Sequence, residues 1–338
     1  MVKNKRMIII LGLLVVVLVG GFILSAGKTG SDAQQPSSGS DFKIGILQTT
    51  SHPALDEITA GTIEGLEENG YVEGENMMVT FQNGQGDQNL MNTMAQSLVD
   101  EGADLLVGIG TPASQALANA TSEIPIILAA VSDPVGAGLV ESEEDPGGNI
   151  TGVKDQSPVQ AQLELMLEVL PETEHIGLFY SSGEDNARAE AERAKKAAEE
   201  LGLTTDTYTV SGTNEIQNMV ATMAQEVDAI YLPTDNTIAS AFDTVVSEAT
   251  RYDTPLIPTV DSMIDQGGLA TVGINQKQLG FESGRMGAEV LDGKDIRTFP
   301  VFVLEEGDVL INQGQAERLG LTVPKTILDE ATIVGVED

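Results

Sequence analysis

Between Asp104 and Ala116 the chain reads Asp-Leu-Leu-Val-Gly-Ile-Gly-Thr-Pro-Ala-Ser-Gln-Ala, and this short stretch restricts the fold more than any other. Residues 105–109 run apolar or small without interruption, as in a strand buried on both faces. Gly110 and Thr111 end the run, and an alanine-rich helical pattern begins at Pro112. Threonine is a good N-cap, and proline suits the first helical position, where its missing N–H costs nothing. A doubly buried strand that feeds a helix directly is the repeating unit of a helix-covered parallel sheet.

The unit recurs along the chain. Strands are expected over 42–47, 77–81, 105–109 and 126–130, with helices over 52–69, 88–101 and 112–121. Pro146-Gly147-Gly148-Asn149-Ile150-Thr151-Gly152-Val153 breaks the rhythm, and a second series follows. It has helices over 159–169, 186–201, 214–224 and 237–252, and strands over 175–180, 204–210, 229–232 and 256–258. The reading is α/β, two doubly wound parallel-sheet lobes with right-handed crossovers. Ligands of such sheets bind beyond the carboxyl ends of the strands. Those ends carry Gln48, Thr49 and His52, then Thr111 and Pro112, then Ser132 and Asp133 in the first lobe. In the second they carry Tyr180, Asp235 with Asn236, and Asp261, so the two edges are expected to face each other across a cleft.

Composition closes off several chemistries. The 338 residues contain no cysteine, which excludes disulfides, thiolate metal sites and a lipid-modified N-terminal cysteine. Lys3, Lys5 and Arg6 precede an uncharged run over 7–27 that is long enough to cross a bilayer. Residues 1–41 are therefore expected to be an export signal, retained as a membrane anchor or else cleaved near Ser25-Ala26-Gly27, and a Ser/Gly/Gln-rich tether, with the folded part outside the cytoplasmic membrane. Without Lys3, Lys5, Arg6 and Lys28, 13 of the 17 basic residues remain against 52 acidic ones, a balance of about −39. Such a surface repels nucleic acid and anionic headgroups. It also fits a protein working in concentrated salt, which a rise in stability with added salt would show.

Longer motifs carry a resemblance. His52-Pro53-Ala54-Leu55-Asp56, Thr111-Pro112-Ala113, Ser132-Asp133-Pro134-Val135-Gly136, the 146–153 segment, Ile230-Tyr231-Leu232-Pro233-Thr234-Asp235-Asn236, Leu310-Ile311-Asn312 and Ala316-Glu317-Arg318-Leu319-Gly320 are similar to the tryptophan/tyrosine-type substrate-binding proteins of ABC importers. The resemblance runs from about 42 to 334. It implies a type I periplasmic binding protein with three crossings near 151–157, 268–275 and 300–306. The lobes are then 42–153 with about 274–301, and about 156–270 with about 304–335. It also implies an aromatic amino-acid ligand, an ABC permease as partner, no cofactor or metal, no enzyme activity and a monomer.

An amino-acid receptor must hold a carboxylate, an ammonium and a side chain. For the carboxylate, Thr111 and Pro112 with the amides of Ala113 and Ser114 offer a helix N-terminus. For the ammonium, Asp133, Asp155, Asp235 and Asp261 are candidates, the last two ranked first because they come from the opposite lobe; each also reads as a helix or turn cap. Glu184 and Asn186 resemble the family's Ser-Glu-x-Asn-Ser turn, although Ala187 stands where the last serine is expected. Tyr180 and Phe81 are expected to flank the ligand side chain with His52 above it, while Tyr231, Phe179 and His175 read as structural. Gln48, Thr49, Ser132, Asn236 and Asn275 complete the expected set.

Other readings compete. Gly108-x-Gly110-x-x-Ala113 with Asp133 downstream fits a loose dinucleotide fingerprint, but it falls on the third strand of an exported chain. With two histidines, no G-x-S-x-G elbow and no H-E-x-x-H, the common hydrolase patterns are missing, though paired carboxylates for glycoside hydrolysis stay open. A ligand sensor of the same fold would share the site and differ in its partner surface. A transcription regulator would need a basic headpiece where this chain has an apolar leader.

Overall fold

The computed structural model describes residues 42–304 and 307–336; the expected leader and tether lie outside the described residues. In the first lobe, β1 (Phe42–Gln48), β2 (Met77–Asn83), β3 (Leu105–Ile109), β4 (Ile126–Val131), β5 (Ile150–Lys154) and β11 (Phe302–Val303) form one sheet. Its order is β11-β5-β4-β3-β1-β2, and every pairing is parallel. β3 shows why the apolar run has no polar face. Leu105, Val107 and Ile109 enter the core beneath helices Pro53–Glu68 and Gln276–Leu291, while Leu106 packs with Met91, Leu98 and Leu117 on the other side. Alternation along a strand sends neighbours to opposite faces, so both faces must be apolar.

The second lobe repeats the pattern. β6 (His175–Ser181), β7 (Thr204–Val210), β8 (Ala229–Leu232) and β9 (Leu256–Pro258) pair in parallel in the order β7-β6-β8-β9. Phe179 and Tyr231 are fully buried there, and the Tyr231 hydroxyl donates to Gln162 Oε1 at 2.7 Å. His175 lies with Nδ1 3.0 Å from Glu226 O and Nε2 3.1 Å from Asp206 Oδ2.

Three details depart from the sequence reading. The second lobe is not wholly parallel: β10 (Ala270–Gly273) runs antiparallel to β12 (Asp308–Asn312), which pairs in parallel with β13 (Thr332–Val334). The direction follows from connectivity, because β10 leads the chain out toward the first lobe and β12 brings it back. The single helix expected over 237–252 is two, Asn236–Ser240 and Phe242–Arg251, broken at Ala241. Finally, the N-cap of helix Thr111–Ala120 is Gly110, not Thr111. Gly110 has φ 84°, a conformation glycine adopts without strain, and this brings the chain out of β3 and directly into the helix.

Helix Gln276–Leu291 returns to the first lobe and lies on helix Pro53–Glu68 at very close range. A Cβ placed on Gly61 or Gly65 would fall onto the carbonyls of Lys277 or Phe281, and one on Gly280 or Gly284 onto those of Ile58 or Thr62. The two four-residue glycine spacings thus let the backbones touch.

Candidate functional site

Each lobe has a topological switch point, between β1 and β3 in the first and between β6 and β8 in the second. The strand ends at these points face each other and enclose a cavity of about 20 Å³, room for about one water molecule. The first lobe lines it with His52, Leu55, Ile58, Thr111, Ala130 and Ser132, and the second with Asn186, Thr234, Asp235, Asn236, Ala239 and Val260. Asp155, on the passage between lobes, and Gln276 complete the wall. A larger chamber of about 370 Å³ opens beside it, lined by Thr49, Thr50, Pro112, Ser181, Glu184 and Thr237 among others, with Asn236 common to both.

Asp155 is the electrostatic centre of the cavity. It is 5% exposed, and burial, together with the charges of Glu190 and Asp261, raises its carboxyl to about 7 against the opposing pull of Arg193. Among the described residues no hydrogen bond relieves this carboxylate. Beside it, Asn186 gives its Nδ2 hydrogen to Thr234 O at 2.8 Å, which leaves Oδ1 buried without a donor. Two acceptors that lack donors therefore line one cavity. Of the two, Asn186 Oδ1 is wholly enclosed without a hydrogen-bond partner, and so is the donor Arg193 Nη2, whose charge pulls on Asp155; unsatisfied buried polar groups are costly.

The other expected carboxylates hold protein groups instead. Asp235 accepts from Ile238 N at 2.8 Å and Ser181 N at 2.5 Å, so both its oxygens fasten the second lobe; burial and the neighbouring Glu184 push its carboxyl well up. Asp261 caps Ser262 N, and its carboxyl, raised to about 6 chiefly by burial, lies outside the cavity wall. Asp133 is half-buried and accepts from Gly136 N within its own turn. Asp235 and Asp261, ranked first in the sequence reading, are thus engaged by backbone amides, and the bond from Ser181 N to Asp235 is invisible in sequence.

The amides expected to take a carboxylate are likewise engaged. Ala113 N donates to Thr49 Oγ1 at 3.3 Å and Ser114 N to Gly110 O at 3.1 Å, while the fully buried Ser114 hydroxyl donates to Gly108 O and Gly110 O. Of this group only Thr111 faces the inner cavity; Pro112 lines the outer chamber. Gln48 is fully buried and bound to Asp56 and Thr59, and Asn275 is exposed and caps Gln278 N. Tyr180 packs on Ala187 and Ala191 inside its own lobe, and Phe81 stands half-exposed on the edge strand β2, so neither aromatic lines the cavity. Glu184 accepts from the amides of Asn236 and Thr237 and from their side chains, anchoring the start of helix Asn236–Ser240.

Two further residues escaped the sequence reading. Glu190 is wholly buried, accepting from Ser157 Oγ at 3.1 Å and Thr234 N at 3.2 Å, with its carboxyl raised by burial against the pull of Arg193. The stripe Ala187, Ala191, Ala194, Ala198 gave a signal for it, since position 190 lies on that same face. Ala130, at φ 60° beside an irregularity in the β4–β5 register, lines the cavity with a strained backbone that no residue type announces.

Across the cleft, His52 Nε2 meets Asn236 Oδ1 at 3.3 Å. Burial lowers the imidazole's pKa, opposed by the bond to Asn236 and the charges of Glu184 and Asp56. Among the described residues no cluster of His, Asp and Glu is arranged to hold a metal, and no helix is long and apolar enough to cross a membrane.

Comparison with known proteins agrees with this architecture. The family model described as ABC transporter substrate binding protein matches residues 43–334. The tyrosine-binding protein of Clostridioides difficile (strain R20291) is 34% identical over 324 residues, 95% of this chain and 94% of the relative. An ABC domain from Streptococcus pneumonia in complex with L-Trp superposes with a TM-score of 0.85 at 46% identity, over 87% of this chain and 100% of that one. The ligand-free, open structure of a substrate-binding protein with adhesive properties from Clostridium difficile gives 0.67 at 34% identity, over 88% and 100%. On the match over nearly the whole folded part, the chain belongs to the family of ABC transporter substrate-binding proteins.

Proposed function

We propose that this substrate-binding protein captures a free aromatic amino acid, L-tryptophan or L-tyrosine, outside the cytoplasm and presents it to an ABC permease. The observation that carries the ligand class is the pair of donor-less acceptors, the Asp155 carboxylate and Asn186 Oδ1, on one cavity wall. An α-ammonium offers three N–H donors and a positive charge, and satisfies both. The hydroxyls of Thr111 and Ser132 on the opposite lobe then serve the α-carboxylate, with the N-terminal end of helix Thr111–Ala120 behind them. Leu55 and Ile58 of the first lobe and Ala239 and Val260 of the second form the apolar walls for the side chain. The choice of an aromatic rests on the tyrosine-binding relative and the L-Trp complex.

The mechanism follows from desolvation. Closing the lobes without ligand buries the Asp155 charge near Glu190 and Asp261 with no donor, which opposes closure. An ammonium supplies the missing charge, so the ligand binds the closed form better than the open one and shifts the population toward it. The cavity is too small for an aromatic amino acid as it stands, so the lobes part to admit the ligand and close with it between them. The ligand leaves unchanged: His52 is engaged by Asn236 rather than set beside a nucleophile. The chain works as a monomer, held to the membrane by residues 7–27, whose apolar run behind Lys3, Lys5 and Arg6 supports a retained anchor.

A thermal-shift screen of the soluble part against the twenty amino acids, nucleotides and sugars tests the ligand class. A ligand at a hundred times its dissociation constant stabilises by about 2.7 kcal/mol. A shift with L-tryptophan or L-tyrosine and none with NAD is the expected result; a shift with a nucleotide or sugar alone refutes it.

A further inference from the structure

The contact between His52 and Asn236 deserves a function of its own, because it crosses the cleft. His52 belongs to the turn after β1 in the first lobe, and Asn236 opens helix Asn236–Ser240 in the second. Among the described residues it is the one side-chain hydrogen bond that joins the two lobe edges at the mouth of the cavity. Asn236 Nδ2 donates to Glu184 Oε2 at 2.7 Å, an oxygen that also accepts from Asn236 N. With the amide so placed, Oδ1 faces His52, and Nε2 carries the proton it donates.

Glu184 is itself held by the backbone amides of Asn236 and Thr237 and by the Thr237 hydroxyl. The chain imidazole, amide, carboxylate is therefore anchored rigidly in the second lobe and reaches the first through a single bond. That bond stands where the inner cavity meets the 370 Å³ chamber, since Asn236 lines both. Burial favours the neutral imidazole, which leaves no unpaired charge in the closed cleft.

We propose that His52 and Asn236 form a latch that joins the two lobes where the ligand cavity meets the outer chamber. The pair positions the lobes and sets how long the closed form lasts. The inference rests on the ligand reading above only for its probe, L-tryptophan; the latch acts between protein groups.

The absence of cysteine permits a direct test. Asn89 and Asn214, both exposed and flanking the chamber from opposite lobes, are replaced by cysteine and spin-labelled, and the distance distribution is measured with and without L-tryptophan. The labelled parent is compared with His52→Ala, His52→Gln, Asn236→Ala and the double alanine variant. Loss of one neutral hydrogen bond should enlarge the open fraction and speed ligand release about five- to tenfold. His52→Gln, which keeps a donor near the Nε2 position, should restore most of the closed form, and His52→Ala should have no further effect in Asn236→Ala. An unchanged closed fraction in His52→Ala, with and without L-tryptophan, overturns the latch. Failure of L-tryptophan to close the parent overturns the ligand reading instead, and the latch then stands or falls on whether His52→Ala lowers the closed fraction of the ligand-free chain.

Discussion

Asp155 differs from its neighbours in one respect: its carboxylate is buried and, among the described residues, accepts no hydrogen bond. A carboxyl raised to about 7 in the folded state, against about 3.9 in an unfolded chain, binds its proton more tightly when folded. Its cost to stability is absent below about pH 4, builds up between 4 and 7, and is complete above. Asp261, raised to about 6, adds a cost of the same sign over a narrower window. The ligand-free protein should therefore melt at higher temperature at pH 5 than at pH 8, and Asp155→Asn should flatten that slope in a calorimetric pH series. Ligand affinity should run the other way, because the ammonium favours the ionised carboxylate and binding near pH 6 must expel a proton. Proton release measured in buffers of different ionisation heat checks the second half. Which aspartate plays this part was not legible in the sequence. Asp133, Asp155, Asp235 and Asp261 all follow strands, and what separates them is whether amides such as Ser181 N, 54 positions from Asp235, already occupy their oxygens.

At the scale of elements, the close contact of helices Pro53–Glu68 and Gln276–Leu291 couples the scaffold to the site. Gln276 begins the second helix and lines the cavity, so the depth of the packing sets where it stands. Gly65→Ala or Gly284→Ala would force backbones apart, and overpacking of this kind costs about 1–3 kcal/mol. Both variants should lose several degrees in melting temperature and bind L-tryptophan more weakly, as thermal unfolding and titration would show. The strands were the most legible elements. The apolar run 105–109 coincides with β3, because burial on both faces leaves one local solution. The spacing Gly61-x-x-x-Gly65 and Gly280-x-x-x-Gly284 was visible too, but nothing local tells a glycine helix which partner lies more than two hundred residues away. The cap shifted from Thr111 to Gly110 for a similar reason: either residue can end a strand, and only the path into the cleft requires φ 84°.

For the molecule as a whole, the two lobes oppose their switch points, the passage between them carries Asp155, and His52 and Asn236 meet across the cleft. The alternation of strands and helices makes this architecture readable from the sequence, down to the cleft. The side-chain walls were not readable. The aromatics Tyr180 and Phe81 pack within a lobe or face outward, and aliphatic residues that look like ordinary core, Leu55, Ile58 and Val260, line the cavity instead. The central claim is that an ammonium completes the buried charge of Asp155 and thereby closes the lobes. Its most direct test is calorimetric titration of L-tryptophan and L-tyrosine into the parent and Asp155→Asn at pH 8. Losing one partner of a buried charge pair costs about 2–5 kcal/mol, so the variant should bind some thirty- to several-thousandfold more weakly while melting no lower than the parent. Equal affinity in the two proteins would contradict the account and return the ammonium to another group.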